Sequence, residues 1–254
     1  MPENRMKKQF AGKAEDVPVR LNKYLSEAGI CSRREADRLI EDGKVSVDGK
    51  VAVTGQKVLP TQKIVVEGKK AVREKEMILL AVNKPRGVVC STDDRWGDVT
   101  IDAFLNYPKR IFPIGRLDKD SEGLLLMTNN GEILNKIMRA GNFHEKEYLV
   151  EIDRNVTRGF VEKMQKGVFL QELGVTTRPC KVKKTGERQF TIILTQGLNR
   201  QIRRMCKENG CRVVSLKRIR IMNIHLGNLK TGEYRNVTED EMEVLFEQIK
   251  ESRA

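Results

Sequence analysis

Residues 113–131 read P-I-G-R-L-D-K-D-S-E-G-L-L-L-M-T-N-N-G. Arg116 and Asp118 stand two positions apart in this run, and a second carboxylate, Asp120, follows. An aspartate held beside an arginine can serve covalent or acid–base chemistry. An aspartate in a glycine-rich loop is also a turn former that bonds nearby amides. Spacing alone leaves both readings of Asp118 open. A two-carboxylate glycosidase would use Asp120 as its second acid, but a strongly basic chain suits neutral sugars poorly.

The elements around Asp118 must hold it at the edge of a scaffold. Leu124-Leu125-Leu126-Met127 is a continuous apolar run bounded by turn signals, the pattern of a buried strand. Asp118 therefore belongs to a loop entering that strand. Asn129-Asn130-Gly131 breaks the strand, and residues 132–139 read as a helix. Further on, Tyr148, Val150 and Ile152 alternate with Glu147, Leu149 and Glu151, which predicts an amphipathic strand. By spacing, Tyr148 is an inward core aromatic.

Charge is concentrated late in the chain. Residues 178–220 hold thirteen lysines and arginines against Glu187 and Glu208, a net of +11 out of +13 for all 254 residues. A strand over 189–195 ends at Gln196-Gly197. Asn199 is the expected N-cap of a helix running to Asn209, with Gly210 past its end. On that helix Arg200, Arg203, Arg204 and Lys207 recur at spacings of three and four, forming one cationic stripe. The stripe is either a solvated face or a grip for a polyanion. Residues 216–226 read as a strand with Arg218 and Arg220 on one basic face. Thr238-Glu239-Asp240-Glu241 is a capping box opening an amphipathic helix.

The first 70 residues form a separate unit by pattern. Residues 1–16 are expected as a disordered tail. Leu21, Tyr24, Leu25 and Ala28 lie at helical spacing, stopped by Gly29. Ser32 and Glu35 form a capping-box pattern before a second helix, on which Arg33, Arg34 and Arg38 share a face. Val45–Gly49 predicts a hairpin with an Asp-Gly turn, and 64–66 another strand. The charged run 68–76 is the expected connector, with a second domain over 77–254.

Composition narrows the partners. A charged content of 33% against 39% hydrophobic describes a polar-surfaced chain, and the excess of cations favours a polyanion. Aromatics are 5%, so phosphate contacts rather than ring stacking should carry most of the affinity. Cys31, Cys90, Cys180, Cys206 and Cys211 are odd in number and scattered, which suits free thiols in a reducing compartment. His144 and His225 are too isolated for a metal site. No apolar stretch approaches a membrane span. These features point to the cytoplasm.

Five strings carry a resemblance. G-R-L-D-x-D-S-x-G-L-L-L-x-T-N-x-G is similar to the catalytic motif of the RsuA-like pseudouridine synthases. N-K-P-R-G at 83–87, K-E-Y at 146–148 and G-L-N-R-Q-I-R-R-M at 197–205 resemble further motifs of that family. S-R-R-E-A-D-R-L-I-E-D-G-K-V-S-V-D-G at 32–49 resembles the S4 RNA-binding domain. The family often has His where this chain has Arg200, a departure shared with its RluF-type branch, which acts on large-subunit rRNA.

The resemblance implies an α+β fold. A small α/β S4 domain, 17–70, would precede a catalytic domain with a mixed, mostly antiparallel sheet. It implies isomerisation of a uridine in structured RNA, 23S rRNA above a tRNA stem-loop, by a monomer without cofactor or metal. Asp118 would be the nucleophile, Arg203 its ionic partner, and Tyr148 a pocket residue against the base. Arg116 would fill the space left by the extruded base. Asn199, Arg200, Arg204 and the S4 arginines would grip RNA. Trp96 falls in a polar loop expected near the cleft, with core packing as the simpler account. The alternative is a non-catalytic S4-type RNA-binding or ribosome-assembly protein.

Overall fold

The computed structural model describes residues 17–72, 76–91 and 97–252. The expected tail, 1–16, and Trp96 lie outside them. The chain divides into two compact units.

The first unit runs to Ile78 and includes Tyr107–Phe112 and Asn129–Gly131. Its elements are β1 (Val19–Arg20), α1 (Leu21–Glu27), α2 (Arg33–Glu41), β2 (Val45–Val47), β3 (Lys50–Val51), β4 (Lys57–Val58), β5 (Ile64–Val66) and β6 (Lys69–Lys70). The helical-period residues Leu21, Tyr24 and Leu25 are buried in one cluster with Ala36 and Ile40 of α2 and with the strand valines. Ser32 caps α2 by accepting from the Glu35 amide at 3.2 Å. Glu35 turns to Arg38 at 3.4 Å, so the α2 cap uses the serine alone. Asp48 and Gly49 both take positive φ, 50° and 82°, and close the β2–β3 hairpin. The run expected as a connector begins as β6, paired antiparallel with β5, and buries Ala71. Arg33, Arg34 and Arg38 are exposed on α2.

The second unit holds β7 (Leu79–Lys84), α3 (Ile101–Leu105), β8 (Phe112–Ile114), β9 (Glu122–Thr128), α4 (Gly131–Met138), β10 (Lys146–Ile152), α5 (Arg158–Lys166), β11 (Phe169–Leu170), β12 (Val175–Thr176), β13 (Lys181–Lys184), β14 (Gln189–Leu194), α6 (Gln201–Glu208), β15 (Val213–Ile221), β16 (Ile224–His225), β17 (Tyr234–Asn236) and α7 (Glu239–Ile249). The main sheet has the order β13-β14-β10-β15-β9-β7-β17. Among the described residues β9 and β15 pair in parallel, and the other neighbours along this path are antiparallel. The fold is thus α+β with a mixed, mostly antiparallel sheet. β7 and β9 are buried on both faces, which is why their sequences run apolar without alternation. Thr238 and Glu241 complete the capping box of α7.

Register does the work of assembly. Gly123 stands opposite Arg218, Arg218 opposite Tyr148, Tyr148 opposite Ile192, and Ile192 opposite Val182. One row across the sheet therefore joins residues from five strands. A register shift between Glu147 and Tyr148 pairs them with Arg220 and Arg218, leaving Ile219 as the extra residue. Since successive residues of β10 face opposite sides, Arg218 and Arg220 do too. The single basic face expected for this strand is divided by the bulge. Arg218 is buried, and Arg220 pairs with Glu145 and Glu147 on the other side.

The parallel crossing depends on Gly123. Its φ is +103°, and a Cβ there would meet the Arg218 carbonyl oxygen at 2.3 Å and its nitrogen at 2.7 Å. No flexible atom can yield. Gly123→Ala should therefore cost more than ~2 kcal/mol, against ~1 kcal/mol for Gly49→Ala, where φ is positive but the space is open. Thermal unfolding of the two variants checks the difference; equal melting temperatures would contradict the packing argument.

Candidate active site

Asp118 opens a turn: its carbonyl accepts from the Ser121 amide at 3.0 Å, with Lys119 and Asp120 at the corner. The backbone of Asp118 makes the turn that the first reading expects, and its side chain is a third exposed. Leu117, beside it, points into the apolar cluster that also contains Tyr148, Val150 and Ile202. That anchor holds the loop against the sheet. The Leu117 amide donates to Cys90 Sγ at 3.4 Å, and the Gly87 amide donates to the Lys119 carbonyl at 2.7 Å.

Two buried cations hold the loop from beneath. Lys84 is wholly buried and Arg218 is 3% exposed. Lys84 Nζ donates to the carbonyls of Pro85 and Ser121, each at 2.8 Å. Arg218 Nε donates to the Leu124 carbonyl at 2.7 Å, and Nη1 to that of Arg116 at 3.4 Å. Both ends of the Asp118 segment are thus tied to one guanidinium. Arg218 is also the cross-strand partner of Tyr148. The geometry connects Tyr148 to the loop through Arg218 and through the shared cluster with Leu117. Tyr148 is itself nine-tenths buried, in keeping with its inward phase.

The arginine contacts differ from the expected pairing. Arg200, not Arg203, makes the ion pair with Asp118 among the described residues, Nη1 to Oδ2 at 3.6 Å. Arg203 Nη2 instead reaches the Asp120 carbonyl at 2.9 Å, Ser121 Oγ at 3.2 Å and the Asp120 carboxylate at 3.3 Å. The turn explains this: it sets Asp120 and Ser121 between α6 and Asp118. Arg200 grips Asp120 in a two-point contact, 3.1 and 2.9 Å, which holds the Asp120 carboxyl below the usual carboxylate range. Arg203 Nε is buried with no acceptor among the described residues. Arg116 is exposed and has no carboxylate partner among the described residues.

Asn199 is not the helix cap. Arg200 takes that position with φ of +49°, and Gln201 reaches back to accept from the Leu198 amide at 3.0 Å. The left-handed residue turns Asn199 out of cap geometry. Its carbonyl and carboxamide oxygens accept from Arg204 at 3.0 and 3.1 Å instead. The stripe on α6 is also not a bare cationic face. Asp120 pairs with Arg200 and Arg203, and Glu172 pairs with Arg204 and Lys207.

Lys84, Cys90, Lys146 and Arg218 were not among the residues expected at the site. Lys146 had a legible signal, since it shares the inward phase of Tyr148, Val150 and Ile152. Arg218 had none before the bulge placed it inward. Lys146 is 8% exposed. Burial, with the positive charge of Arg218, brings its pKa down from 10.5 to about 8. The folded chain then binds fewer protons than the unfolded chain between pH 8 and 10.5. Stability should rise with pH across that window, by at most ~1.4 kcal/mol per unit. Lys146→Met should flatten this slope in chemical denaturation at pH 8 to 10; an unchanged slope would assign the effect elsewhere.

Comparison with known proteins now gives the setting. Residues 78–208 match the family described as RNA pseudouridylate synthase, and residues 19–64 match the S4 domain. The chain is 51% identical over 239 residues to the dual-specificity RNA pseudouridine synthase RluF of Escherichia coli K12, covering 93% of this chain and 81% of that one. It is 40% identical over 234 residues to ribosomal large subunit pseudouridine synthase B of Bacillus subtilis, covering 89% and 95%. A crystal structure of a pseudouridylate synthase superposes with a TM-score of 0.67 at 30% identity, covering 89% of this chain and 99% of that one.

Proposed function

This chain belongs to the RNA pseudouridine synthase family, and we propose that it isomerises a uridine in a stem-loop of 23S rRNA with Asp118 as its nucleophile. The observation that carries the reading is the placement of Asp118. A carboxylate open to solvent stands on a turn whose carbonyls are held by buried Lys84 and Arg218, with Arg200 beside it.

The reaction breaks the N1–C1′ bond, turns the uracil and joins C5 to C1′. A proton leaves C5 and one is gained at N1, so no redox partner or external group is consumed. The base must leave its stack to reach Asp118. Its ribose then meets a carboxylate on a loop held at the Arg116 and Ser121 carbonyls by buried cations, which supplies orientation. Tyr148, on the row that ends at Gly123 of β9, the strand that follows the Asp118 turn, is the residue to lie against the uracil. Arg116, exposed two positions earlier, suits the gap left in the stem. Arg203 acts through Asp120 and Ser121 as a brace of the loop.

The E. coli relative named above is called dual-specificity, and the B. subtilis one is named for the large ribosomal subunit. These names support 23S rRNA as substrate, with a tRNA stem-loop as the second RNA to test. We read the protein as a cytoplasmic monomer. No helix among the described residues is long and apolar enough to cross a membrane.

The test is tritium release from 5-tritiated uridine in 23S rRNA, 16S rRNA and tRNA. Release from 23S rRNA is expected. Asp118→Asn should abolish it while RNA affinity stays within about fivefold, since one neutralised surface carboxylate alters binding by less than ~1 kcal/mol. Turnover in Asp118→Asn would refute the nucleophile assignment, and release from 16S rRNA alone would refute the substrate.

A further inference from the structure

Arg204 and Lys207 lie one helical turn apart on α6, and both reach the same carboxylate. Glu172 Oε1 accepts from Lys207 Nζ at 2.7 Å, and Oε2 faces Arg204 Nη1. Two cations converging on two oxygens of one monoanion form an oxyanion cradle. The Arg204 guanidinium is fixed there from behind, through its bonds to the Asn199 carbonyl and carboxamide oxygens. It therefore keeps its aim whether or not Glu172 is present.

Glu172 is not part of the helix. It sits on the short 3-10 turn Gln171–Leu173 between β11 and β12. Leu170 is buried in the core and anchors this hairpin, whereas Phe169, Leu173 and Val175 are exposed. The polar links from this hairpin to α6 among the described residues include the two Glu172 pairs and a 3.4 Å bond from the Gln171 amide to Glu208. The Lys207 pair is exposed and so worth only ~0–1 kcal/mol, whereas the Arg204 side chain is about one-fifth exposed. A phosphodiester carries the same single charge on two free oxygens, and its transfer to a protein cation releases bound counterions from the RNA.

We propose that Arg204 and Lys207 form a binding site for one RNA backbone phosphate, that Glu172 holds this site as a stand-in, and that the phosphate displaces it. The inference rests on the RNA-modifying reading above. Arg200, which touches Asp118, is the N-cap of the helix that carries Arg204 and Lys207. The phosphate would belong to a nucleotide flanking the target. The hairpin tip then moves off α6 as RNA seats.

Binding of the full chain to a stem-loop RNA, followed by fluorescence anisotropy between 50 and 200 mM salt, tests this. Glu172→Gln should tighten binding about 2- to 5-fold at low salt, the range set by an exposed ion pair. Glu162→Gln removes an equal charge from the exposed Arg158 pair and should leave affinity nearly unchanged. Lys207→Gln, at an exposed helix position, should make the slope of log K against log salt shallower by about 0.7–0.9. In an Arg204→Gln, Lys207→Gln background, Glu172→Gln should have no effect. The site is overturned if Glu172→Gln binds no tighter than Glu162→Gln, or if its gain persists in the double variant. An unchanged salt slope in Lys207→Gln overturns it independently of how the hairpin tolerates change. Normal wild-type binding with any of these results sinks the phosphate site alone; a wild-type chain that binds no RNA sinks the RNA reading with it.

Discussion

A cation withdrawn from water must find its charge answered, and Lys84 and Arg218 find backbone carbonyls rather than carboxylates. Burying an unpaired charge costs several kcal/mol, so neither side chain would stay inside unless those oxygens were where they are. The reverse also holds: the oxygens belong to residues 85, 116, 121 and 124, which bracket Asp118. Folding the two cations inward and shaping the loop are one event. Burial lowers the proton affinity of Lys84, while the nearby Asp118 and Asp120 carboxylates raise it.

The same logic organises the outer layer. Asp120 answers Arg200 and Arg203, and Glu172 answers Arg204 and Lys207. A stretch that carries most of the net charge of the chain is therefore locally paired along its helix. The pairing keeps α6 compatible with a compact unit. At Arg204 and Lys207, a polyanion then arrives by exchange with Glu172 rather than by landing on open cations. Exchange makes affinity depend on which acid is displaced, and so adds a layer of selectivity to simple charge attraction.

Much of the fold was legible locally. The buried run at 124–127, the alternation over 146–152, the Asp48-Gly49 turn and the Thr238–Glu241 capping box each became the element their pattern implies. These signals depend on near neighbours in sequence. Asn199 as a helix cap failed because Arg200 adopts a left-handed backbone, and no composition rule marks an arginine for that. The connector at 68–76 failed in part because Lys69–Lys70 completes an edge strand, where solvent-facing lysines are acceptable.

By itself the chain determined that Asp118 stands at a solvent-facing turn before a buried strand, that Tyr148 faces inward, and that cations gather between 178 and 220. These follow from periodicity and turn chemistry, which act over a few residues. Only the tertiary structure decided which arginine touches Asp118, that Arg218 lies under the loop while Arg220 lies on the far side, and that Lys84 holds Ser121. The division of Arg218 from Arg220 depends on the bulge at Ile219, the Asp118 contact on the turn over 118–121, and the Lys84 bond on the pairing of β7 with β9. Register is settled by the packing of whole strands against one another, so no stretch of sequence holds it alone.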